Sequence, residues 1–241
     1  MRLDDDHRIG PGAFEQARRE TVRYHQDLYS SATLGQTGTW LARPHRLVAD
    51  ALALVPADQP VVAYDLGAGI GRHTIPMLQG LPEGSTVVAV DLLPSALVAL
   101  TDAVPPGVRT ALQTRVADLD GFEFEEPADL VLAFSAIEHL PDLESVGRLL
   151  ERVKTALKPG GIIAIGIVAD RVEIDCEGRR RPALLESAIS AANAVELLSD
   201  TFHEFTVTYQ DLRRAEVREQ RGDDTYTLAS TLVAWLARQS R

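Results

Sequence analysis

The chain has a single cysteine, Cys176, among 241 residues. It cannot close an internal disulfide and has no neighbouring ligands for a metal cluster, so it reads as an incidental thiol. Basic residues are also scarce: 24 lysines and arginines stand against 35 aspartates and glutamates, a net charge of −11. Non-specific affinity for nucleic acid comes from lysine and arginine, so a nucleic-acid partner is disfavoured and a small molecule suits the chain better. The basic cluster Arg179 to Arg181 is flanked by Asp175 and Glu177 and reads as a solvated loop. No apolar stretch approaches the roughly 20 residues that cross a bilayer, and no membrane partner is expected. The opening residues, MRLDDDHRIGPG, lack the apolar core of a secretory signal, which sets the expectation of a cytoplasmic protein.

What is present is the composition of one sizeable globular domain, 45% hydrophobic and 24% charged. Residues 1–58 read as a tail followed by two helices ahead of the first strand. Residues 1–12 are polar and broken by Gly10, Pro11 and Gly12, whereas Ala13 to Tyr29 places Phe14, Ala17, Thr21 and Tyr24 near one helical face. A Ser, Gly and Thr loop then leads to WLARPHRLVADALALV, where Pro44 opens a second helix with Leu47, Ala51 and Leu54 as its buried stripe. From residue 59 onward strands are expected at 61–66, 86–91, 109–116, 128–134 and 162–168, alternating with helices at 71–79, 94–103 and 143–157. Such alternation predicts a doubly wound, mostly parallel α/β sheet with its ligand at the carboxyl ends of the strands. In the last third, 183–199 looks helical, 203–209 alternates like a strand and 226–235 is an apolar run. The charged segment 211–220 has no evident place.

The segment VVAYDLGAGIG, Val61 to Gly71, carries the strongest signal. A buried strand ends in Asp65 and opens into a loop with Gly67, Gly69 and Gly71, flanking Ala68, where the backbone can approach a ligand closely. A dinucleotide loop needs a third glycine where this chain has Arg72, so that reading fits poorly. Asp91 ends the next strand, VVAVD, followed by Leu92, beside the glycine loop. A carboxylate there can accept both ribose hydroxyls of a nucleoside; its alternative role is a helix cap ahead of Pro94.

With Asp65, Gly67, Gly69 and Gly71 matching D-x-G-x-G-x-G, the chain resembles the class I S-adenosylmethionine-dependent methyltransferases. The resemblance is firm from Val61 to Val168 and closest to the tellurite-resistance and quinone-biosynthesis groups. It implies a Rossmann-like, seven-stranded sheet closed by an antiparallel hairpin, with N-terminal cap helices over the site and S-adenosylmethionine as cofactor. It also implies that Asp118, followed by Leu119, bonds the adenine amino group, the alternative being a turn residue beside Asp120 and Gly121. Ser135 would line the cofactor after the fourth strand. His139, in the Glu138-His139 pair that recurs in small-molecule members, is the candidate catalytic residue. As a general base it would take a proton from the acceptor; the alternative is that Glu138 and His139 organise the loop. In some related enzymes E-x-x-E-H holds a divalent metal, but Ser135 stands at the first glutamate here, so no metal is expected. Gly38-Thr39-Trp40-Leu41 resembles a segment of some bacterial members. Arg43 or Arg72 would pair with the cofactor carboxylate, and Tyr29 or Trp40 would face the sulfonium. The implied reaction is methyl transfer to oxygen or nitrogen of a small molecule; a non-catalytic module that keeps the fold is the competing reading.

Overall fold

A computed structural model describes residues 11–31, 33–37 and 39–240. Two helices come first, α1 (Pro11–Ser31) and α2 (Arg46–Leu52), with a 3-10 turn at Trp40–Ala42 between them. The alternating part follows as β1 (Val62–Leu66), α3 (Thr74–Gly80), β2 (Thr86–Asp91), α4 (Pro94–Ala103), β3 (Ala111–Val116) and β4 (Ala128–Phe134). A 3-10 turn at Ile137–His139 leads to α5 (Leu143–Ala156), β5 (Leu157–Ile174), β6 (Arg180–Pro182), α6 (Ala191–Thr201), β7 (Phe205–Arg221) and β8 (Asp224–Gln239).

The sheet runs β3-β2-β1-β4-β5-β8-β7, with β6 paired to β5 off this path. Strands β1 to β5 are parallel, and β8 and β7 close the sheet antiparallel. The seven expected strands are therefore present and β6 is an addition. Both faces are covered, which is why the strands read as unbroken apolar runs. Along β4, Leu130, Leu132 and Phe134 pack on one face with Leu47, Val48 and Met77, while Val131 and Ala133 pack on the other with Leu149, Leu150 and Val153. That two-residue alternation splits the core into two layers. Asp142 caps α5 by accepting the Ser145 amide at 2.8 Å.

Several boundaries differ from expectation. β5 runs from Leu157 to Ile174, well beyond the 162–168 expected at both ends. The helix expected at 183–199 begins only at Ala191, because Ser190 takes the cap and accepts the Asn193 amide at 3.1 Å; residues 183–190 are an irregular loop. The unplaced segment 211–220 is the distal half of β7, paired with β8 as far as Arg221 and Asp224. Its charge pattern hid it because its exposed face meets water. The readings placed on residues 1–10 and on Gly38 lie outside the described residues.

Strand order reverses between β1 and β4, and the crevice there opens at the carboxyl ends of β1, β2 and β4. Helix α1, the 183–190 loop and the distal β7–β8 hairpin surround this crevice.

Candidate active site

The glycine loop is fixed by its own backbone. The amides of Gly67 and Ala68 donate to the Val90 carbonyl at 2.8 and 3.0 Å, and Gly67, Gly69 and Gly71 all take positive φ. A Cβ on Gly67 would stand 2.4 Å from the Ala136 Cβ, and one on Gly69 2.7 Å from the Tyr29 hydroxyl. Side chains are excluded here by conformation and by space. Asp65 lies buried at the root of the loop, accepting the Thr74 hydroxyl at 2.6 Å, with Oδ1 unpartnered. Burial raises its pKa to about 6, against the Thr74 bond and the Arg72 charge. Asp91 accepts the Gly69 amide at 2.7 Å and the Leu93 amide at 2.8 Å, tying the second strand end to the loop. The N-cap of α4 is Leu93, without a side-chain cap bond, so Asp91 does not take the alternative cap role.

Three chambers share His25 and His139 in their walls, and the first two reach the glycine loop. The first, about 100 Å³, lies under α1 and is lined by Gly67, Asp91, Leu92, Asp118, Leu119, Ser135, Tyr29 and His139. The central chamber, about 320 Å³, takes in Gly67, Ala68, Gly69, Arg72, Trp40, Ser135, Glu138, His139 and Arg171, with Val217, Leu228 and Leu232 of the hairpin as an apolar wall. The outer chamber, about 550 Å³, opens between α1 and the hairpin tip.

Most of the residues singled out from sequence thus converge. Asp65 and Gly71 sit beneath the loop as supports. Asp118 lines the first chamber, but its carboxylate is paired with Arg18 of α1, a partner the sequence did not point to. Arg43 is the correction: it is exposed and lines none of the three chambers, since the extended backbone after the 3-10 turn carries it outward. Arg72 is the guanidinium at the loop. It lies 4.9 Å from the Trp40 ring centroid and donates to the Trp40 carbonyl at 2.7 Å, with Nε buried and unpartnered. An unpaired guanidinium N–H beside the glycine cradle fits the carboxylate of an amino-acid nucleoside.

Glu138 is fully buried. Its Oε1 accepts the Val168 amide at 3.2 Å, its Oε2 has no partner, and burial raises its pKa. His139 bonds through Nδ1 to Glu186, which also accepts the Thr21 hydroxyl at 3.2 Å. Burial alone would lower the His139 pKa, but the bond to Glu186 and its charge outweigh that and raise it. Glu186 was missed because it lies in the 183–190 loop, read as helix; a lone glutamate there carries no local signal. Arg171 was missed for a similar reason. Asp170, at φ 50, sits in a bulge of β5 that directs the next side chain to the crevice. Among the described residues no group of three or more His, Cys, Asp and Glu side chains is placed to hold a metal ion.

Residues 64–163 match the model of a methyltransferase domain. The trans-aconitate 2-methyltransferase of Azoarcus sp. (strain BH72) is 26% identical over 192 residues, which is 79% of this chain and 72% of that protein. The protein of the same name from Methylobacterium radiotolerans is 32% identical over 120 residues, half of this chain and 43% of its own length. Two solved structures share the fold. TehB from Haemophilus influenzae superposes with a TM-score of 0.62 at 16% identity, covering 90% of this chain and 67% of that one. The N-methyltransferase NodS from Bradyrhizobium japonicum, solved with S-adenosyl-l-homocysteine, gives 0.54 at 16%, covering 95% and 99%. Residues 64–163 thus carry a methyltransferase domain by sequence, on the fold that TehB and NodS share. The match begins within β1 and ends within β5, so it spans the glycine loop, Asp91 and the Glu138-His139 turn.

Proposed function

We propose that this methyltransferase moves the methyl group of S-adenosylmethionine to a hydroxyl or amine of a partly apolar small molecule held in the central chamber. The observation that carries the proposal is the meeting of the first chamber, with Asp91 and the glycine loop, and the central one, with its hairpin wall, at His139. When bound, S-adenosylmethionine supplies a methyl on a positively charged sulfur, already activated for in-line displacement. The chain's own work is then to bind, orient and exclude water. Asp91 accepts the ribose hydroxyls. Arg72 pairs with the carboxylate, and Gly67 to Gly71 let the backbone close on the ligand. Asp118 and Leu119 flank the base end, Ser135 the turn after β4, and Tyr29 roofs the loop. His139, held by Glu186, faces the acceptor atom.

The relatives' name raises the alternative of a polycarboxylate acceptor. The central chamber argues against it. Arg72 is taken by the cofactor's carboxylate and Arg171 bonds the main-chain carbonyls of Glu138 and Ser187, while Glu138 and Glu219 place two carboxyl groups on the same walls. An uncharged or cationic acceptor meets less repulsion there.

Calorimetry with S-adenosylhomocysteine, followed by transfer of a tritiated methyl to a panel of small alcohols, phenols, amines and carboxylic acids, tests the proposal. Wild-type protein should bind, and Asp91→Ala should lose about 100-fold in affinity, the weight of two charge-assisted hydrogen bonds. No binding by the wild type would leave a non-catalytic module instead.

A further inference from the structure

Of the described residues lining the three chambers, only His25 and His139 face every one of them. Their rings meet edge to face, 5.8 Å apart, where a group leaving the cofactor side must cross to the acceptor side. Their hydrogen bonds make them unequal. His25 Nδ1 lies 2.9 Å from the Thr21 carbonyl, which can only accept, so Nδ1 carries the proton and Nε2 of the neutral ring keeps a lone pair. His139 Nδ1 is turned to Glu186, an arrangement that holds the ring as a proton donor. Thr21 organises both, its carbonyl taking His25 and its hydroxyl donating to Glu186 at 3.2 Å.

We infer that His25, not His139, is the proton acceptor of the transfer, and that the acceptor molecule therefore carries an O–H or N–H rather than a carboxylate. This rests on the methyltransferase reading above. In the step, the acceptor's proton passes to His25 Nε2 as its oxygen or nitrogen bonds the methyl carbon; the carbon–sulfur bond breaks with its electron pair leaving on sulfur. The positive charge moves from sulfur to the His25 ring, which then releases its proton to water through the outer chamber. The groups around the ring agree. Burial first, then the neighbouring His139 charge, lower the His25 pKa to about 4, against the Thr21 bond and Glu186. Tyr24, Tyr29 and Trp40 pack on the ring, and Arg171 and Glu219 face the same chambers from β5 and β7. Opposed shifts on adjacent rings assign base and donor.

Nitrogen-15 NMR of the imidazoles, in the ligand-free protein and with S-adenosylhomocysteine, tests the assignment without turnover. His25 should stay neutral, with the proton on Nδ1, at every pH above about 5, while His139 should titrate above the ordinary imidazole value. A His25 ring that carries its proton on Nε2, or titrates near the ordinary 6.5, overturns the inference. In the tritium assay, product should come from hydroxyl or amine acceptors. His25→Phe, which keeps the ring packing, should lose at least about 100-fold in kcat with S-adenosylhomocysteine affinity within a few-fold of wild type. Unchanged kcat in His25→Phe, or product from carboxylic acids alone, also overturns it. Loss of S-adenosylhomocysteine binding by wild-type protein would sink the methyltransferase reading instead and leave the NMR result to stand separately.

Discussion

The parallel half of the sheet and the cap over it are built on different principles. From β1 to β5 the site is made by main chain: three glycines at positive φ, amides on Val90, and one carboxylate bridging two loops. The cap is made by side chains from segments far apart in sequence, Thr21 and His25 of α1, Glu186 before α6 and Glu219 of β7. Helix α1 and the hairpin face one another across the outer chamber, with Tyr24 on one wall and Glu219 on the other. A backbone-built platform suits a cofactor common to many enzymes, and a side-chain-built cap can change with the acceptor.

The sharpest way to break this division is to remove the cap's outer wall. Replacing residues 214–231 with an Asn-Gly turn joins the paired residues Arg213 and Leu232 directly and removes the rest of the hairpin out to its tip. Methyl transfer in the tritium assay should fall to background while S-adenosylhomocysteine affinity stays within about tenfold; equal loss of both would mean that the hairpin belongs to the cofactor site.

On the platform side, Gly67→Ala forces a β-carbon against Ala136 at φ +75. It should destabilise by about 2–4 kcal/mol in urea unfolding, the sum of a left-handed penalty and overpacking. Arg72→Ala should weaken S-adenosylhomocysteine about tenfold by calorimetry, whereas Arg43→Ala should leave it unchanged. The reverse order would restore Arg43 to the site.

How far each half was legible follows from the same division. The glycine spacing, Asp65, Asp91 and the apolar strands are local signals, because main-chain geometry demands particular residues at short spacing. Glu186 and Arg171 had no such signal. Their roles come from tertiary placement, one on an irregular loop capped off by Ser190, the other behind the Asp170 bulge. Residues 211–220 stayed unplaced because they form the edge strand of the sheet, which buries too little surface to impose alternation. Arg43 looked as good as Arg72 in sequence; only the fold shows which faces the loop.

The smallest expected effect lies in the His139–Glu186 pair. His139 has a raised pKa, so its contribution to stability is complete below about 6.5 and is lost as pH rises through the folded value. For Glu186 burial acts to raise the pKa, but the His139 bond and charge prevail and lower it. Its contribution is complete above about 4.5 and is lost as pH falls through the folded value. The Tm difference between wild type and Glu186→Gln should therefore be largest between about pH 4.5 and 6.5 and shrink on either side. A difference independent of pH would show that the pair is not ionic.

The central claim, that platform and cap meet at the transfer point, is tested most directly by a crystal structure of the S-adenosylhomocysteine complex. The ribose should lie on Asp91, with the sulfur at the junction faced by His25 and His139. A ligand whose ribose leaves Asp91 free, or whose sulfur points away from both imidazoles, would contradict the account.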